Sequence, residues 1–445
     1  MPPKPSNPQA MLFTSRLEQI LNHQHPLYKL ANAIDWSEFE KAFGSMYSPD
    51  QGAPAKRIRL MVGLHYLKHA FDNSDEETVF AWVENPYWQY FCGEQYFQHE
   101  LPIDPSLMTK WRNRVKSEGL EKLLEVTIKT GLKTGALKKY QMRKVAADTT
   151  VQEKAISFPT DARLYNRMRQ RLVTKAKECG IGLRQSYVRK GKQSFIMHSR
   201  YSHARQYRRA AKHLRKLKSY LGRVTRDIER KLQPEQSEEF ERLLELSHRL
   251  LRQKRHDKNK LYSIHSPEVV CISKGKSHKR YEFGCKVSLV TTIGKEPFVL
   301  GIQAFEGNPY DGHTLAASLE QAGRLGSFDP AEVFVDRGFR GHDYKGPALV
   351  HIVGRGLRKL PRTLRRWFKR RSVIEPVIGH TKSDCRLARN YLKGSEGDRM
   401  NAILCGCGYN IRRLLREFIF LLCKYLFPWP DRCPNTLAPI AQKAF

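Results

Sequence analysis

The order of the predicted elements indicates an α/β fold that is preceded by helices and interrupted by further helices. After residue 140, β-rich runs and helical patterns follow in the order β–β–β–α–β–β–α, which is typical of a sheet covered by helices. A charged, helical region separates the first β-rich run from the second, and it is too long to be a simple loop. We therefore predict a mixed-sheet core with an N-terminal helical domain and a large helical insertion after the first strand.

The length of 445 residues is typical of two or three domains. We predict an N-terminal helical domain over residues 1–135 and an α/β domain over residues 136–430. Within the second domain, we place the basic helical insertion at residues 160–262. Residues 431–445 form a C-terminal tail in this prediction.

The sequence carries a formal net charge of +35, from 79 Lys and Arg against 44 Asp and Glu. So large an excess predicts a polyanionic partner, and nucleic acid is the usual one. An anionic membrane surface is the alternative, but no basic amphipathic anchor is apparent. The most apolar run, residues 418–429, contains Lys424 and Pro428 and is too short to cross a bilayer. Because the first residues also lack an apolar signal core, we expect a cytoplasmic protein that does not bind membranes.

The nine cysteines are scattered along the chain, and no C-x-x-C pair occurs. An odd number of cysteines in a protein that is not secreted predicts free thiols and disfavours a zinc site. His65 and His69 are four residues apart in a helical pattern, a spacing that metals can use. No third ligand is apparent, so we interpret both as ordinary helix residues.

The N-terminal region contains several predicted helices, of which one covers residues 55–70. Ser74 and Glu77 have the spacing of a capping box, which predicts that another helix begins there. A further helix is predicted after Pro105. This last helix carries four basic residues, Lys110, Arg112, Arg114 and Lys116. Short helices with a basic last one favour a helix-turn-helix-like DNA-binding module, and a helical dimerisation domain is the alternative.

The first β-rich run, KVAADTT, predicts a short strand that ends in Asp148. The helical insertion follows, and its most basic part is residues 200–231. That part contains twelve Lys and Arg residues against two acids, Asp227 and Glu229. A helix that is merely solvated normally mixes both signs of charge, so this imbalance predicts a surface that faces phosphates.

The remaining elements of the core follow the insertion. Two β-rich runs that are separated by IGK predict a hairpin, and a helix follows them. The run AEVFVD predicts a strand that ends in Asp336 before a glycine turn. The predicted positions are 281–292 and 296–305 for the hairpin, 313–325 for the helix, 348–353 for a last strand and 401–425 for a last helix.

The stretch from Arg365 to Arg386 predicts a single helix with a possible kink at Pro376. Its apolar residues recur at helical spacing. Arg371, Glu375 and Lys382 follow one another at intervals of four and seven, so they share one helical face. One carboxylate between two cations suits a site that binds a metal and a phosphate together. Surface ion pairs are the alternative.

Three carboxylates occur on elements that can meet in an α/β fold: Asp148 and Asp336 at strand ends, and Glu375 on a later helix. Such hard oxygen ligands select Mg²⁺ or Mn²⁺, and two such ions can activate water and stabilise the leaving oxygen of a phosphodiester. His342 could act as a proton shuttle, although a structural or phosphate-contacting role is the favoured interpretation.

These motifs resemble those of bacterial insertion-sequence transposases of the DDE type, in the branch named after insertion sequence five. The signature of that branch is Tyr, two residues, Arg, three residues, Glu, six residues and Lys. This sequence has Phe368, Arg371, Glu375 and Lys382 at that spacing, with Phe in place of Tyr. The second signature, D-x-G-Y/F, is met by Asp336, Gly338 and Phe339, and Asp148 matches the first acid. The resemblance extends from about residue 45 to 417 and includes the N-terminal helices.

The resemblance implies an RNase H-like core in which Asp148, Asp336 and Glu375 are the catalytic residues and bind two Mg²⁺ or Mn²⁺ ions. It implies that Arg371 and Lys382 contact DNA near these acids. The expected partner is double-stranded DNA, namely the terminal inverted repeats and the target. We also expect a homodimer or larger assembly on the DNA, at the bacterial nucleoid. A metal-dependent nuclease of the same fold and an inactive or domesticated DNA-binding relative are the alternatives.

Overall fold

The computed structural model describes residues 15–47, 54–254, 256–273, 279–354 and 360–426. The predicted C-terminal tail lies outside the described residues. The chain forms two compact units, of which the first contains residues 1–153 and 286–445. The second unit contains residues 154–285. The predicted boundaries at residues 135, 160, 262 and 430 stay predictions.

Within the described residues, the chain contains seven strands. These are β1 Lys144–Lys154, β2 Val270–Ile272, β3 Glu282–Thr292, β4 Val299–Phe305, β5 Glu332–Val335, β6 Leu349–Ile352 and β7 Arg389–Asn390. The strands β3, β1, β5 and β6 are neighbours in that order, while β4 pairs with β3 and β7 pairs with β1. The pairs β1–β5 and β5–β6 are parallel, whereas β3–β4 is an antiparallel hairpin. This mixed sheet confirms the predicted α/β fold with an RNase H-like core.

The described helices fall into three groups along the chain. Before the sheet are α1 Leu17–Ile20, α2 Pro26–Ala33, α3 Ser37–Phe43, α4 Ile58–Ala70, α5 Asp75–Glu84, α6 Pro86–Phe91 and α7 Ser106–Thr134. The second unit contains α8 Asp161–Glu178, α9 Val188–His203, α10 Tyr207–Lys231 and α11 Ser237–Arg252. The rest of the first unit contains α12 Asp311–Gly326, α13 Arg362–Arg371, α14 Ile374–Asp384 and α15 Gly394–Leu426. No described helix is both long and apolar enough to cross a membrane.

The first strand is longer than its sequence predicts. We expected it to end in Asp148, but β1 continues to Lys154. The residues that follow Asp148 are Thr149, Thr150 and Val151, whose β-branched side chains favour extended backbone. Asp148 therefore lies in the middle of a strand, where its neighbours on both sides fix its backbone.

The prediction of one helix from Arg365 to Arg386 is wrong. The structure has two helices, α13 and α14, and the break falls at Ser372 and Val373. Pro376 accounts for the position of the break. A proline inside a helix removes one hydrogen bond, and its ring collides with the carbonyl group four residues earlier, which here is that of Ser372. Proline is tolerated in the first turn of a helix, and Pro376 is the third residue of α14.

The helices before the sheet pack in the first unit, where α15 packs against α4, α7 and β4. The predicted capping box is present at the start of α5, since Glu77 N donates to Ser74 Oγ at 3.1 Å and Ser74 N donates to Glu77 Oε2 at 2.6 Å. His65 and His69 are buried in α4, and His65 Nδ1 lies 2.7 Å from the carbonyl oxygen of Met61. These are contacts of ordinary core residues.

One of the four cations that we assigned to a DNA-facing helix is a core residue. Arg112 is 1% exposed, and its guanidinium donates two hydrogen bonds to Asp75 at 2.8 and 2.6 Å. Burial raises the pKa of the Asp75 carboxyl, but the hydrogen bonds from Arg112 and the charge of Lys68 outweigh it, so that pKa lies well below its ordinary value. Lys110, Arg114 and Lys116 remain exposed on α7.

The second unit has a hydrophobic core of its own. This core is formed by α8, α10 and α11, and it includes Leu172, Leu221 and Phe240, each of which is fully buried. Leu217 and Ile228 of α10 also lie in it. The apolar residues of the basic helix therefore pack inward, while its cations remain at the surface.

Candidate active site

Two of the three predicted acids lie side by side on parallel strands. In the pairing of β1 with β5, Ala146 lies opposite Phe334. This is the last observed pair of the two strands, and Asp148 and Asp336 each follow it by two residues, so continuing the same register would set them opposite each other. Asp336 directly follows β5, and its Oδ1 accepts a hydrogen bond of 2.8 Å from Gly338 N. Parallel pairing therefore brings two distant parts of the sequence to one edge.

Arg371 connects the third acid to the first. Its Nη1 lies 3.4 Å from Asp148 Oδ2, and its Nη2 lies 3.6 Å from Glu375 Oε1. The Arg371 side chain is 11% exposed and that of Asp148 is 17% exposed, whereas Glu375 is 63% exposed. The break between α13 and α14 permits this arrangement, since Arg371 ends one helix and Glu375 is near the start of the next.

Lys382 lies on α14 two helical turns beyond Glu375, so both side chains project from the same face. It is partly buried. The structure thus brings Asp148, Glu375 and Arg371 into contact, places Asp336 beside Asp148, and puts Lys382 further along the same helix.

A fourth carboxylate, which the sequence analysis missed, contacts residues adjacent to the two strand acids. Asp311 is in the first turn of α12, and its Oδ1 accepts hydrogen bonds of 2.8 Å from Thr149 Oγ1 and 2.8 Å from Lys286 Nζ. Thr149 is adjacent to Asp148, and its backbone N donates to Asp148 Oδ1 at 2.7 Å. Asp311 is therefore linked to β1 directly and to β3 through a buried lysine.

Gly338 lies against the same carboxylate. A Cβ atom at this position would be 2.8 Å from Asp311 Oδ2 and 3.0 Å from Asp336 Oδ1. The first distance is shorter than real Cβ contacts show and the second is tighter than most, so a side chain here would displace the Asp311 carboxylate. The glycine of the D-x-G motif thus leaves room for Asp311. In the sequence, Asp311 reads as an ordinary acid at the start of a helix, and no spacing distinguishes it.

Two other residues that we singled out have structural contacts. Phe368, in the place of the signature Tyr, is buried, and its ring meets that of Phe334 edge to face at a centroid distance of 5.6 Å. His342 N donates to the carbonyl oxygen of Phe339 at 3.2 Å, and its backbone packs closely against Gly312. These contacts involve the backbone of His342, while its buried Nδ1 has no hydrogen-bond partner among the described residues, so the role of the side chain stays a prediction.

The surface of α13 is strongly basic. Five of its cations are exposed, namely Arg362, Arg365, Arg366, Lys369 and Arg370, and the helix contains no Asp or Glu. This helix leads directly into the Arg371 that contacts Asp148. A polyanion that approaches the acids therefore meets a positive surface beside them.

The chemistry of the donors fits a divalent, oxygen-preferring metal. Asp148 and Asp336 supply carboxylate oxygens on or next to adjacent strands, and Glu375 is connected to Asp148 through Arg371. Among the described residues, no three His, Cys, Asp or Glu side chains are close enough together to bind a metal ion.

Comparisons with known proteins find two matching families and a similar protein. Residues 15–114 match a family model described as a transposase domain (DUF772), and residues 253–411 match one described as a transposase DDE domain. The chain is 52% identical over 206 residues to a protein of Rhizobium meliloti, described as uncharacterized protein ORF8 in the nfe locus. The aligned part covers 46% of this chain and 99% of that protein. No solved structure matches the chain.

Proposed function

Because the chain belongs to the insertion-sequence DDE transposases, we propose that it cleaves the ends of an insertion sequence and joins their 3′-hydroxyl groups to target DNA. The observation that supports this proposal is the parallel pairing of β1 with β5, whose last pair, Ala146 and Phe334, lies two residues before Asp148 and Asp336. The contact of Arg371 with both Asp148 and Glu375 supports Glu375 as the third acid. The spacing of Phe368, Arg371, Glu375 and Lys382 favours the branch named after insertion sequence five.

In this proposal, Asp148, Asp336 and Glu375 bind two Mg²⁺ or Mn²⁺ ions. When bound, such ions activate a water or hydroxyl nucleophile and stabilise the leaving oxygen of a phosphodiester. The protein positions the carboxylates and aligns the DNA for in-line attack. No covalent bond between protein and DNA is required.

Arg371 and Lys382 contact DNA in this proposal, and Arg371 also orients two of the acids. Its planar guanidinium bridges Asp148 and Glu375, so it can orient both acids as well as a nearby phosphate. Asp311 is proposed to help position the strand acids through Thr149, the neighbour of Asp148, and through its proximity to Gly338, which follows Asp336 by two residues.

The proposed partner is double-stranded DNA, and the basic surfaces of α13 and α10 are proposed to contact its backbone. The N-terminal helices are proposed to recognise the terminal repeats. Because two ends must be joined, we expect a homodimer or larger assembly on the DNA, in the bacterial cytoplasm.

An assay with two substrates tests this proposal. The full chain is incubated with Mg²⁺ and DNA that carries the inverted repeats flanking its gene, either intact or already cut to expose the 3′-hydroxyl. A transposase joins the cut ends to a target plasmid. Cleavage of intact ends without joining would instead identify a nuclease of the same fold. DNA binding without either reaction would identify an inactive relative.

A further inference from the structure

The second unit contains a groove that the proposed chemistry does not use. It has a volume of about 550 Å³ and lies between α8 and residues 262–265. Four cations of α8 line one wall at intervals of four residues, namely Arg163, Arg167, Arg171 and Lys175. Since an α-helix rises about 1.5 Å per residue, these side chains recur about every 6 Å along the groove.

The middle two cations of this row are available to a ligand. Arg167 and Arg171 are exposed, and neither side chain forms a hydrogen bond or ion pair within the described part of the chain. Arg163 donates to the carbonyl oxygen of Phe158 at 3.4 Å, and Lys175 pairs with Glu239. Glu178 is the one carboxylate among the lining residues of the groove as described. The concave wall is therefore positive and attracts an anion.

The opposite wall is aromatic and apolar. Tyr262 lines the groove together with Leu243 and Ile264. The Tyr262 ring packs on Phe283 at a centroid distance of 5.4 Å, and Phe158 meets Phe283 edge to face at 5.5 Å. Phe158 is 64% exposed and lies between Ser157 and Pro159, which both line the groove. Cations together with an aromatic ring are the combination that binds the phosphates and bases of a single nucleic-acid strand.

The size of the groove decides between one strand and two. A volume of about 550 Å³ is that of a pocket for a single small molecule. A duplex, whose major groove alone is about 12 Å wide, cannot enter such a space. We propose that this groove binds one or two unpaired nucleotides of a DNA strand, with Arg167 and Arg171 on the phosphates and Tyr262 against a base. The identity of that strand as an element end or target end rests on the proposed function.

The test measures binding of a short fluorescein-labelled oligo-dT to the full chain by fluorescence anisotropy. EDTA is present so that no cleavage occurs. We expect the double variant Arg167→Gln/Arg171→Gln to bind the single strand about tenfold more weakly than the unaltered chain at physiological salt. Tyr262→Leu, which removes the ring but keeps an apolar side chain, should weaken binding about tenfold, while Tyr262→Phe should leave it unchanged.

A matched control removes the same number of charges outside the groove. The variant Lys177→Gln/Arg242→Gln changes two exposed cations of the second unit that do not line it, and its binding should change less than twofold. The groove variant and the control variant should have equal affinity for a duplex of the same length. The proposal would be overturned if the groove variant and the control bound the single strand equally well. It would also be overturned if the groove variant lost as much affinity for the duplex as for the single strand.

The result is independent of the proposed transposition chemistry. Oligonucleotide binding in EDTA does not require the acids of the first unit, so Asp148→Asn should bind the single strand like the unaltered chain. If the groove variant binds normally while strand joining occurs, the groove assignment fails alone. If the groove variant loses single-strand binding while no variant cleaves or joins DNA, the proposed reaction fails alone.

Discussion

At the level of single residues, the two strand acids depend on a neighbour that sequence spacing does not reveal. Asp311 accepts a hydrogen bond from the buried Lys286 and lies where a side chain at position 338 would otherwise be. A buried cationic donor strengthens such a carboxylate contact. We therefore expect the position of Asp311, and with it that of Thr149 and Asp148, to be well defined.

The change Asp311→Asn tests this role. It keeps the shape of the side chain but removes the charge that pairs with Lys286, so we expect DNA cleavage to slow by roughly 10- to 100-fold. The half-saturating Mg²⁺ concentration should rise as well, because a displaced Asp148 binds the ion less well. Glu320→Gln, an exposed acid on the same helix, is the control. A slower reaction with an unchanged Mg²⁺ requirement would contradict a positioning role.

The three proposed ligands can be changed without altering their shape. Asp148→Asn, Asp336→Asn and Glu375→Gln should each reduce cleavage by more than the roughly 100-fold that is typical of indirect contacts. Each removes a ligand charge that a divalent metal requires. DNA binding, measured by gel shift in EDTA, should stay within about twofold because the overall charge of the protein hardly changes. Normal turnover by any one of the three variants would remove that residue from the site.

The cations of the signature can be separated from general DNA affinity. Arg371→Ala and Lys382→Ala should each impair cleavage at the element ends by roughly 10- to 100-fold. Non-specific binding should change little, since each variant loses one charge from a protein with a net charge of +35. Arg371→Lys should recover only part of the activity, because a lysine cannot bridge two carboxylates with a planar fork. Lys393→Ala, an exposed lysine elsewhere, is the control for lost charge.

At the level of elements, α10 separates its charges from its packing. Its acids are engaged within the unit: Asp227 accepts from Arg184 N at 2.7 Å, and Glu229 pairs with His248. Its cations are not neutralised to the same extent, and Arg208, Arg209, Lys212 and Arg215 are all exposed. The acids therefore do not offset the basic surface that we predicted from the sequence.

Changing these four cations together to Gln should flatten the salt dependence of DNA binding. Each phosphate contact adds roughly one unit to the log–log slope, so we expect a decrease of roughly two to four units. Recognition of the terminal repeats should remain, because we assign base contacts to the N-terminal helices. The slope is measured by titrating a repeat-containing duplex at several salt concentrations. An unchanged slope in a folded variant would assign α10 to protein contacts.

The elements also show where sequence reasoning succeeds. The hairpin of β3 and β4 and the strand before Asp336 follow from local patterns of apolar residues, and the structure has them. The break at Ser372 was missed because a helical apolar stripe continues across it, and only the collision of the Pro376 ring with that carbonyl group interrupts the helix. Asp311 and the buried Arg112 were missed because their roles depend on partners distant in sequence.

At the level of the whole molecule, two buried histidines make stability depend on pH. Burial lowers the pKa of His65 to about 3 and that of His69 well below its ordinary value. The unfolded chain therefore binds protons near pH 6.5 that the folded chain does not, and stability falls as the pH falls below that value. We expect the free energy of unfolding to decrease by about 2–4 kcal/mol between pH 7 and pH 5.

Urea unfolding at a series of pH values measures this decrease. His65→Gln should remove about half of it, because one of the two titrating groups is gone. His203→Gln, an exposed histidine of the second unit, should leave the pH dependence unchanged. If His65→Gln retains the full pH dependence, the acid sensitivity arises elsewhere in the chain.

The insertion after β1 has a consequence for how the chain folds during its synthesis. The ribosome completes β1 long before its neighbours β3 and β5 exist, since these strands begin at Glu282 and Glu332. Meanwhile, the inserted unit contains its own core and can fold as soon as the chain up to Ile264 has emerged. During that time, the central strand β1 has no strand to pair with, and its backbone groups are open to pairing with other chains. Such a high contact order predicts slow folding of the sheet and aggregation at high expression levels, and slower translation between β1 and β5 would prolong that exposure.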